Sequence, residues 1–256
     1  MAAIVKRRKE RHLFAWLTLA LVALYFLLPL VSATEFSLRE NNGTHGLDAY
    51  RSILQQPDFR DVIMLTLRLT VISVVLSLVI MVPTVTMVHL GAKKYRRLVE
   101  FISLQPLVIP PIVLVLGVVN VMPVSWLGSA DLLGFEYVVL AMPFTFRALD
   151  AGLMNLDVKT IVDAARGLGA SWLTVLVRVV APNLKSGIFG AMFLTIALVL
   201  GEFTMASLML WNTFPTWIAT VGQSDAALSV ALSVASLAFA WVLLVLISFA
   251  DRRRKA

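Results

Sequence analysis

Between two apolar runs of a very hydrophobic chain lies a stretch whose spacing suits docking rather than reaction: Asp163-Ala164-Ala165, three residues, Gly169, nine residues, Val179, one residue, Ala181-Pro182. Asp157 is placed to N-cap a helix here, Ile161, Ala164, Ala165 and Leu168 recur at helical spacing, and Gly167 and Gly169 supply the turn that ends it. Ser171 then caps a second helical stretch with an apolar face of Trp172, Val175, Val179 and Val180, which Pro182 breaks. Small Ala164 and Ala165 admit a partner surface closely, and Gly169 permits a backbone conformation that residues with a Cβ reach less easily. An interfacial helix lying on the inner leaflet is the plainer alternative, and the Trp172 stripe alone fits it.

The other candidates are charges and prolines inside apolar runs. Glu202, in Gly201-Glu202-Phe203, lies about 15 residues, or roughly 23 Å, into its run, where ionisable residues are rare and are paired or pore-facing. Arg68 enters the second run from the opposite side to a comparable depth. Two roles fit Glu202 and stay open: an ion pair with Arg68 that fixes helix packing, or direct contact with a substrate. Pro106, Pro110 and Pro111 read first as a kink and second as pore lining, while Pro83 and Pro143 bend their helices. Catalysis finds no support, because no nucleophile with a base and no metal cluster is visible. Cysteine is absent, His12, His45 and His89 are scattered, and Gly43, Gly91 and Gly117 are isolated. With no G-x-x-x-x-G-K-[ST] phosphate loop, the chain does not hydrolyse ATP by that route.

The elements that must position these residues follow from composition. Hydrophobic residues make up 59% of the 256, above the roughly 45–50% of soluble domains, and several runs approach or exceed the roughly 18 residues of a membrane span. Spans are expected at 13–33, 62–90, 101–122, 137–155, 187–210 and 226–249, giving an all-α polytopic membrane protein with six transmembrane helices. Of 22 Lys and Arg, only Arg39, Arg51, Arg60 and Arg68 fall outside the N-terminal segment, the second and fourth connections with their edges, and the C-terminal tail. The positive-inside rule therefore makes those segments and both termini cytoplasmic. Lipid headgroups and topology, rather than nucleic acid, account for the net charge of +7.

The first apolar run exceeds the roughly 7–15 residues of a cleaved signal, so it is expected to stay as an anchor, although Val31-Ser32-Ala33 resembles a cleavage site. Asn42-Gly43-Thr44 fits a glycosylation acceptor and carries little weight. Residues 35–61 form the longest outer connection, where Tyr50, Ile53, Leu54 and Phe59 are spaced for an amphipathic interfacial helix.

The whole docking pattern resembles the "EAA" signature, E-A-A-x3-G-x9-I-x-L-P, of inner-membrane permease subunits of binding-protein-dependent ABC importers. Asp163 stands for Glu, Val179 for Ile and Ala181 for Leu, which keeps the charge at the first position and apolar character at the others. The resemblance covers about 62–249 of a single transmembrane domain, 1–256, and the N-terminal part matches only as a generic first span. It implies a type I importer permease in which 157–183 forms a cytoplasmic coupling helix seated in a groove of an ATPase subunit. Asp163, Ala164, Ala165, Gly169, Ser171 and Pro182 are then the coupling residues, and Glu202, Arg68, Pro110 and Pro111 the translocation-path or packing candidates. Implied partners are two ATPase subunits, which hold ATP and Mg, a second and different permease chain, an extracytoplasmic binding protein and the lipid bilayer. The chain itself is then non-catalytic, has no cofactor, and lies in a bacterial inner membrane.

Leu200-Gly201-Glu202-Phe203-Thr204 looks most like the permease branch that handles spermidine and putrescine, with relatives for ferric iron, sulfate or molybdate, and phosphonates. A carboxylate in the path suits a polyamine cation. A secondary transporter or channel is the competing class, but an internal repeat and several midplane charges would be expected of it.

Overall fold

The computed structural model describes the backbone of residues 2–39, 44–91 and 93–255, and the side chains of 14–39, 44–91 and 94–242. The glycosylation triplet has residues 42 and 43 outside the described residues. Regular structure among the described residues is helical, apart from one isolated bridge between Arg39 and His45. The chain opens with α1 (Ala2–Leu38), α2 (Asp48–Ile53) and α3 (Phe59–Leu90). After these come α4 (Arg96–Val108), α5 (Pro111–Val121), the single turn α6 (Val124–Leu127) and α7 (Asp131–Met154). The connecting segment contains α8 (Val158–Gly167), α9 (Trp172–Thr174), a π-helical stretch (Val175–Val180) and α10 (Ala181–Asn183). The chain continues through α11 (Lys185–Gly201), α12 (Thr204–Leu208), α13 (Phe214–Ser224) and α14 (Ala226–Lys255).

Phe14–Leu38, Phe59–Leu90 and Asp131–Met154 are each long and apolar enough to cross a membrane. Two further expected spans are not single helices. Instead of one helix over 101–122, α4 and α5 meet at a bend of 104°. Ile109 precedes a proline and is extended, with ψ 123°, and Pro110 at ψ 140° carries the chain to Pro111 at the start of α5. Instead of running to Leu210, α11 stops at Gly201, Glu202 is extended, and the five-residue α12 follows. The fourth expected span begins six residues early, at Asp131 rather than Tyr137, and so takes in Glu136. Pro83 and Pro143 lie inside the continuous helices α3 and α7.

The chain divides into two compact units. In the first, residues 1–59 and 218–256, α1 packs with α14 and α2. Ser37 is buried and shares a 2.7 Å hydrogen bond with the Tyr50 hydroxyl, while Asp225 accepts from the Leu228 amide and caps α14. Of the expected interfacial face, Ile53 is buried and Leu54 exposed. From Phe14 to Val31, α1 leaves large apolar side chains exposed, a pattern suited to lipid.

The second unit, residues 60–217, is built on α7, which packs against α11 and α4. Small residues set the α7–α11 approach, as expected where lipid-like side chains offer no hydrophobic driving force between helices. One apolar cluster joins Met81 and Val85 to Phe146, Leu149 and Leu153 and to Val158, Val162, Val175 and Val180 of the connecting segment. A second joins Leu69, Val115, Leu133, Tyr137, Val199, Met205 and Ala206. Buried hydroxyls on these helices bond back to the preceding turn: Thr66 to the Val62 carbonyl at 2.8 Å, Thr70 to Thr66 at 2.7 Å, Thr195 to Ala191 at 2.9 Å. Each is thereby satisfied without water.

Candidate functional site

The connecting segment is rigid for reasons that can be assigned residue by residue. Asp157 caps α8: its carboxylate accepts from the Thr160 amide at 3.3 Å and the Thr160 hydroxyl at 2.7 Å. Those hydrogen bonds, the hydroxyl's first and with Lys159 adding a smaller contribution, hold the Asp157 carboxyl below the usual aspartate range. At the other end, Gly169 has φ +82°, its amide bonds the Arg166 carbonyl at 2.9 Å, and the Ala170 amide bonds the Ala165 carbonyl at 3.1 Å. This pair of bonds is the Schellman closure of a helix, which requires the left-handed conformation at the glycine. Arg166 braces the turn by donating to the Ala170 carbonyl at 2.8 Å and lying over the Trp172 ring. The Ser171 hydroxyl accepts from the Thr174 amide at 3.3 Å and caps α9.

Beyond α9 the helix widens. The Ala181 amide bonds the Leu176 carbonyl, a π-type bond. Pro182 has no N–H to offer the turn before it, and a local change of pitch is a common response to a lost donor. The bend between Trp172–Asn183 and Lys185–Gly201 is 85°.

The buried face of α8 differs from the expected one. Val158 and Val162 are buried, with Ile161 and Ala165 packed against the same cluster, whereas Leu168 is 90% exposed. Asp163 and Ala164 also face outward, as do Gly169, Ser171 and Pro182. With Leu173 and Val177 exposed as well, the segment is anchored along one side and presents a mixed apolar and polar surface on the other.

Beside this segment lies a polar cluster that sequence reasoning missed. Asp150 on α7 accepts from Arg96 at 3.0 Å and is 2.8 Å from His89 Nε2. It ties the end of α3, the start of α4 and α7 together. Asp150 fell inside an expected span, so an unpartnered carboxylate there was the available signal.

The intramembrane charges are arranged otherwise than expected. Arg68 does not pair with Glu202. Its guanidinium donates to Asp131 Oδ2 at 2.5 Å, with the Arg68 side chain 62% exposed. Asp131 opens α7, six residues before the expected span, which is why its claim on Arg68 was not visible. Glu202 is buried and turned onto its own chain, accepting from the Met205 amide at 2.8 Å and the Ala206 amide at 3.3 Å. This local alternative to continued α11 helix accounts for the break there. Glu136 and Tyr137 lie within electrostatic reach of Glu202, and neither was among the expected site residues. Of the prolines, Pro106 is buried within α4, while Pro110 and Pro111 form the α4–α5 bend.

A profile of binding-protein-dependent transport system inner membrane components matches residues 70–255. The spermidine/putrescine transport system permease protein PotB of Escherichia coli (strain K12) is 25% identical over 214 residues, 73% of this chain and 76% of that protein. PotB of Salmonella typhi is 25% identical over the same length, covering 73% of each chain. Among solved structures, a bacterial alginate ABC transporter in complex with alginate pentasaccharide-bound periplasmic protein superposes with a TM-score of 0.69. It is 18% identical, covering 96% of this chain and 94% of that one. A bacterial ABC transporter involved in the import of the acidic polysaccharide alginate gives 0.66 at 17% identity, covering 99% and 98%. These two likenesses bear on the fold. The profile match spans most of the chain, and with it the protein belongs to the family of inner membrane components of binding-protein-dependent transport systems.

Proposed function

We propose that this ABC-importer permease forms a translocation path for polyamines and receives the ATPase movement through 157–183. The observation that carries the reading is the build of that segment: capped at Asp157, closed at Gly169, recapped at Ser171 and seated on the ends of α3 and α7. A rigid-body shift of an ATPase can pass through such an element into packed helices, because both its ends are fixed. Its outward face, with Asp163, Ala164 and Leu168, is the surface available to that partner. ATP and Mg belong to two ATPase subunits, a second and different permease completes the path, and an extracytoplasmic binding protein delivers the solute. Both termini and 157–183 are cytoplasmic.

The PotB likeness supports a polyamine. So do two buried carboxylates, Glu136 and Glu202, which favour a cation over sulfate, molybdate, a phosphonate or an acidic polysaccharide.

Copurification tests the partner: affinity-tagged chain expressed with its neighbouring genes should bring down an ATPase, and isolation of the chain without one rejects the importer reading. Uptake of labelled spermidine or putrescine in cells with and without the chain tests the solute, with ferric iron and sulfate as comparisons. A cysteine at Ser171, in a chain without any, should resist an impermeant thiol reagent added outside intact cells. Labelling from outside rejects the orientation.

A further inference from the structure

We propose that Glu136 and Tyr137 on α7, together with Glu202 at the α11–α12 break, form a binding site for a primary ammonium group within the second unit. This deepens the polyamine reading and rests on it.

Glu136 is 4% exposed, and neither of its carboxylate oxygens has a hydrogen-bond partner within the chain. Tyr137 is 1% exposed, and its hydroxyl is likewise unpartnered although it lies beside the Glu202 carboxylate. Buried polar groups in folded proteins are almost always satisfied, and an unpaired carboxylate is among the most costly groups to leave otherwise. Here two Glu136 oxygens are buried without a partner, and the Tyr137 phenol beside the Glu202 carboxylate has an oxygen free to accept. A cation answers all three at once.

The acceptor count narrows the cation's class. Glu202 already accepts one bond on each oxygen, from the Met205 and Ala206 amides, so its main remaining contribution is charge. The two Glu136 oxygens and the Tyr137 hydroxyl leave three free acceptors. An alkylammonium carries three N–H donors. A calcium ion would want six to eight oxygens, more than these residues offer. Beside these acceptors the lining is apolar and aromatic: Tyr137 packs with Val199, Met205 and Ala206, and Trp211 packs against the same cluster with an unpartnered indole N–H. An aromatic face attracts an ammonium, and a methylene chain suits the apolar remainder.

Glu136 lies five residues along α7 from Asp131, a rise of roughly 7.5 Å, and its neighbour Tyr137 packs with Met205 and Ala206, which follow the break at Glu202. Irregular backbone inside a membrane is tolerated where it is buried in protein or lines a cavity.

The test uses the assembled importer, this chain with its partner permease and ATPase, purified in detergent and in proteoliposomes. Spermidine is the probe, with equilibrium binding and ATP-driven uptake as readouts. Glu136→Gln should lower spermidine binding and uptake tenfold or more while the complex still assembles in normal yield, and Glu136→Asp should restore part of both. Tyr137→Phe removes one oxygen and no charge, so it should weaken binding several-fold and keeps the test decisive where Glu136→Gln does not assemble. Wild-type spermidine transport with unchanged binding and uptake in both variants overturns the site and leaves the polyamine reading standing. A wild-type complex that moves no polyamine removes both.

Discussion

Gly152 on α7 lies directly against Gly187 on α11: a Cβ added at Gly152 would stand 3.1 Å from the Gly187 Cα and 2.6 Å from Leu184 Cδ1. The two backbones therefore cross with no room for side chains, one turn from the connecting segment's anchor. Replacing Gly152 by Leu should separate the helices, with a loss of about 1–3 kcal/mol from overpacking. Gly190 is a control on the same helix, since its Cβ would meet only Ala148 at 3.6 Å, and Gly190→Ala should be neutral or gain up to about 1 kcal/mol of helix propensity. Thermal unfolding of the purified protein, followed by fluorescence, reads both.

Coupling is predicted to fail by strain at Gly169. Space is not limiting there, because an added Cβ meets nothing within 4 Å, but the φ of +82° is unfavourable for other residues. Gly169→Asp should cost about 1–2 kcal/mol locally and lower transport and ATPase docking while membrane insertion continues. Gly169→Asn, which tolerates this conformation better, should retain more of both. Asp163→Lys should weaken docking without strain, because Asp163 is exposed. Wild-type uptake in Gly169→Asp and Asp163→Lys would remove the coupling assignment.

Arg68 and Glu202 should behave as independent sites. Arg68 pairs with Asp131 in a largely exposed bridge, for which the coupling is about 0–1 kcal/mol. Glu202→Gln weakens a buried cap on two amides, with a loss of about 1–2 kcal/mol. A double-mutant cycle on Arg68→Gln and Glu202→Gln should add within about 0.5 kcal/mol, whereas Arg68→Gln with Asp131→Asn should show the small coupling. An interaction between Arg68 and Glu202 above that error would contradict the arrangement described.

The Asp157 cap should weaken only in acid. Its carboxyl titrates below the ordinary aspartate value, which is about 3.9 in an unfolded chain. A depressed folded value means the stabilisation is fully present above that unfolded value and is lost as pH falls through the lower folded one. The stability difference between the wild-type protein and Asp157→Ala should hence stay constant from neutral pH down to about 5 and shrink below about 4. A difference that is already falling between pH 7 and 6 would point to another group.

How much was legible in the amino-acid sequence divides by the range of the interaction. The helical class, the apolar spans, the Asp157 and Ser171 caps and the Gly169 turn all depend on residues within about one turn of each other, so their chemistry is written locally. The Pro110–Pro111 kink was legible for the same reason, though its 104° size was not. Local pattern was silent where the partner is distant. Arg68 and Asp131 are 63 residues apart, and Glu202, the other candidate for that guanidinium, lies farther still along the chain. Only the packed α3–α7 pair decided it. His89, Arg96 and Asp150 come together from three helices, and Glu136 became a buried, unpartnered carboxylate only because α7 starts early and folds against the α11–α12 break. Even the break after Gly201 turns on where the Glu202 side chain ends, on amides three and four residues ahead rather than in a continued helix. Periodicity establishes which segments are helical and apolar; which polar group faces which is a property of helix packing, and that was decided by the tertiary structure alone.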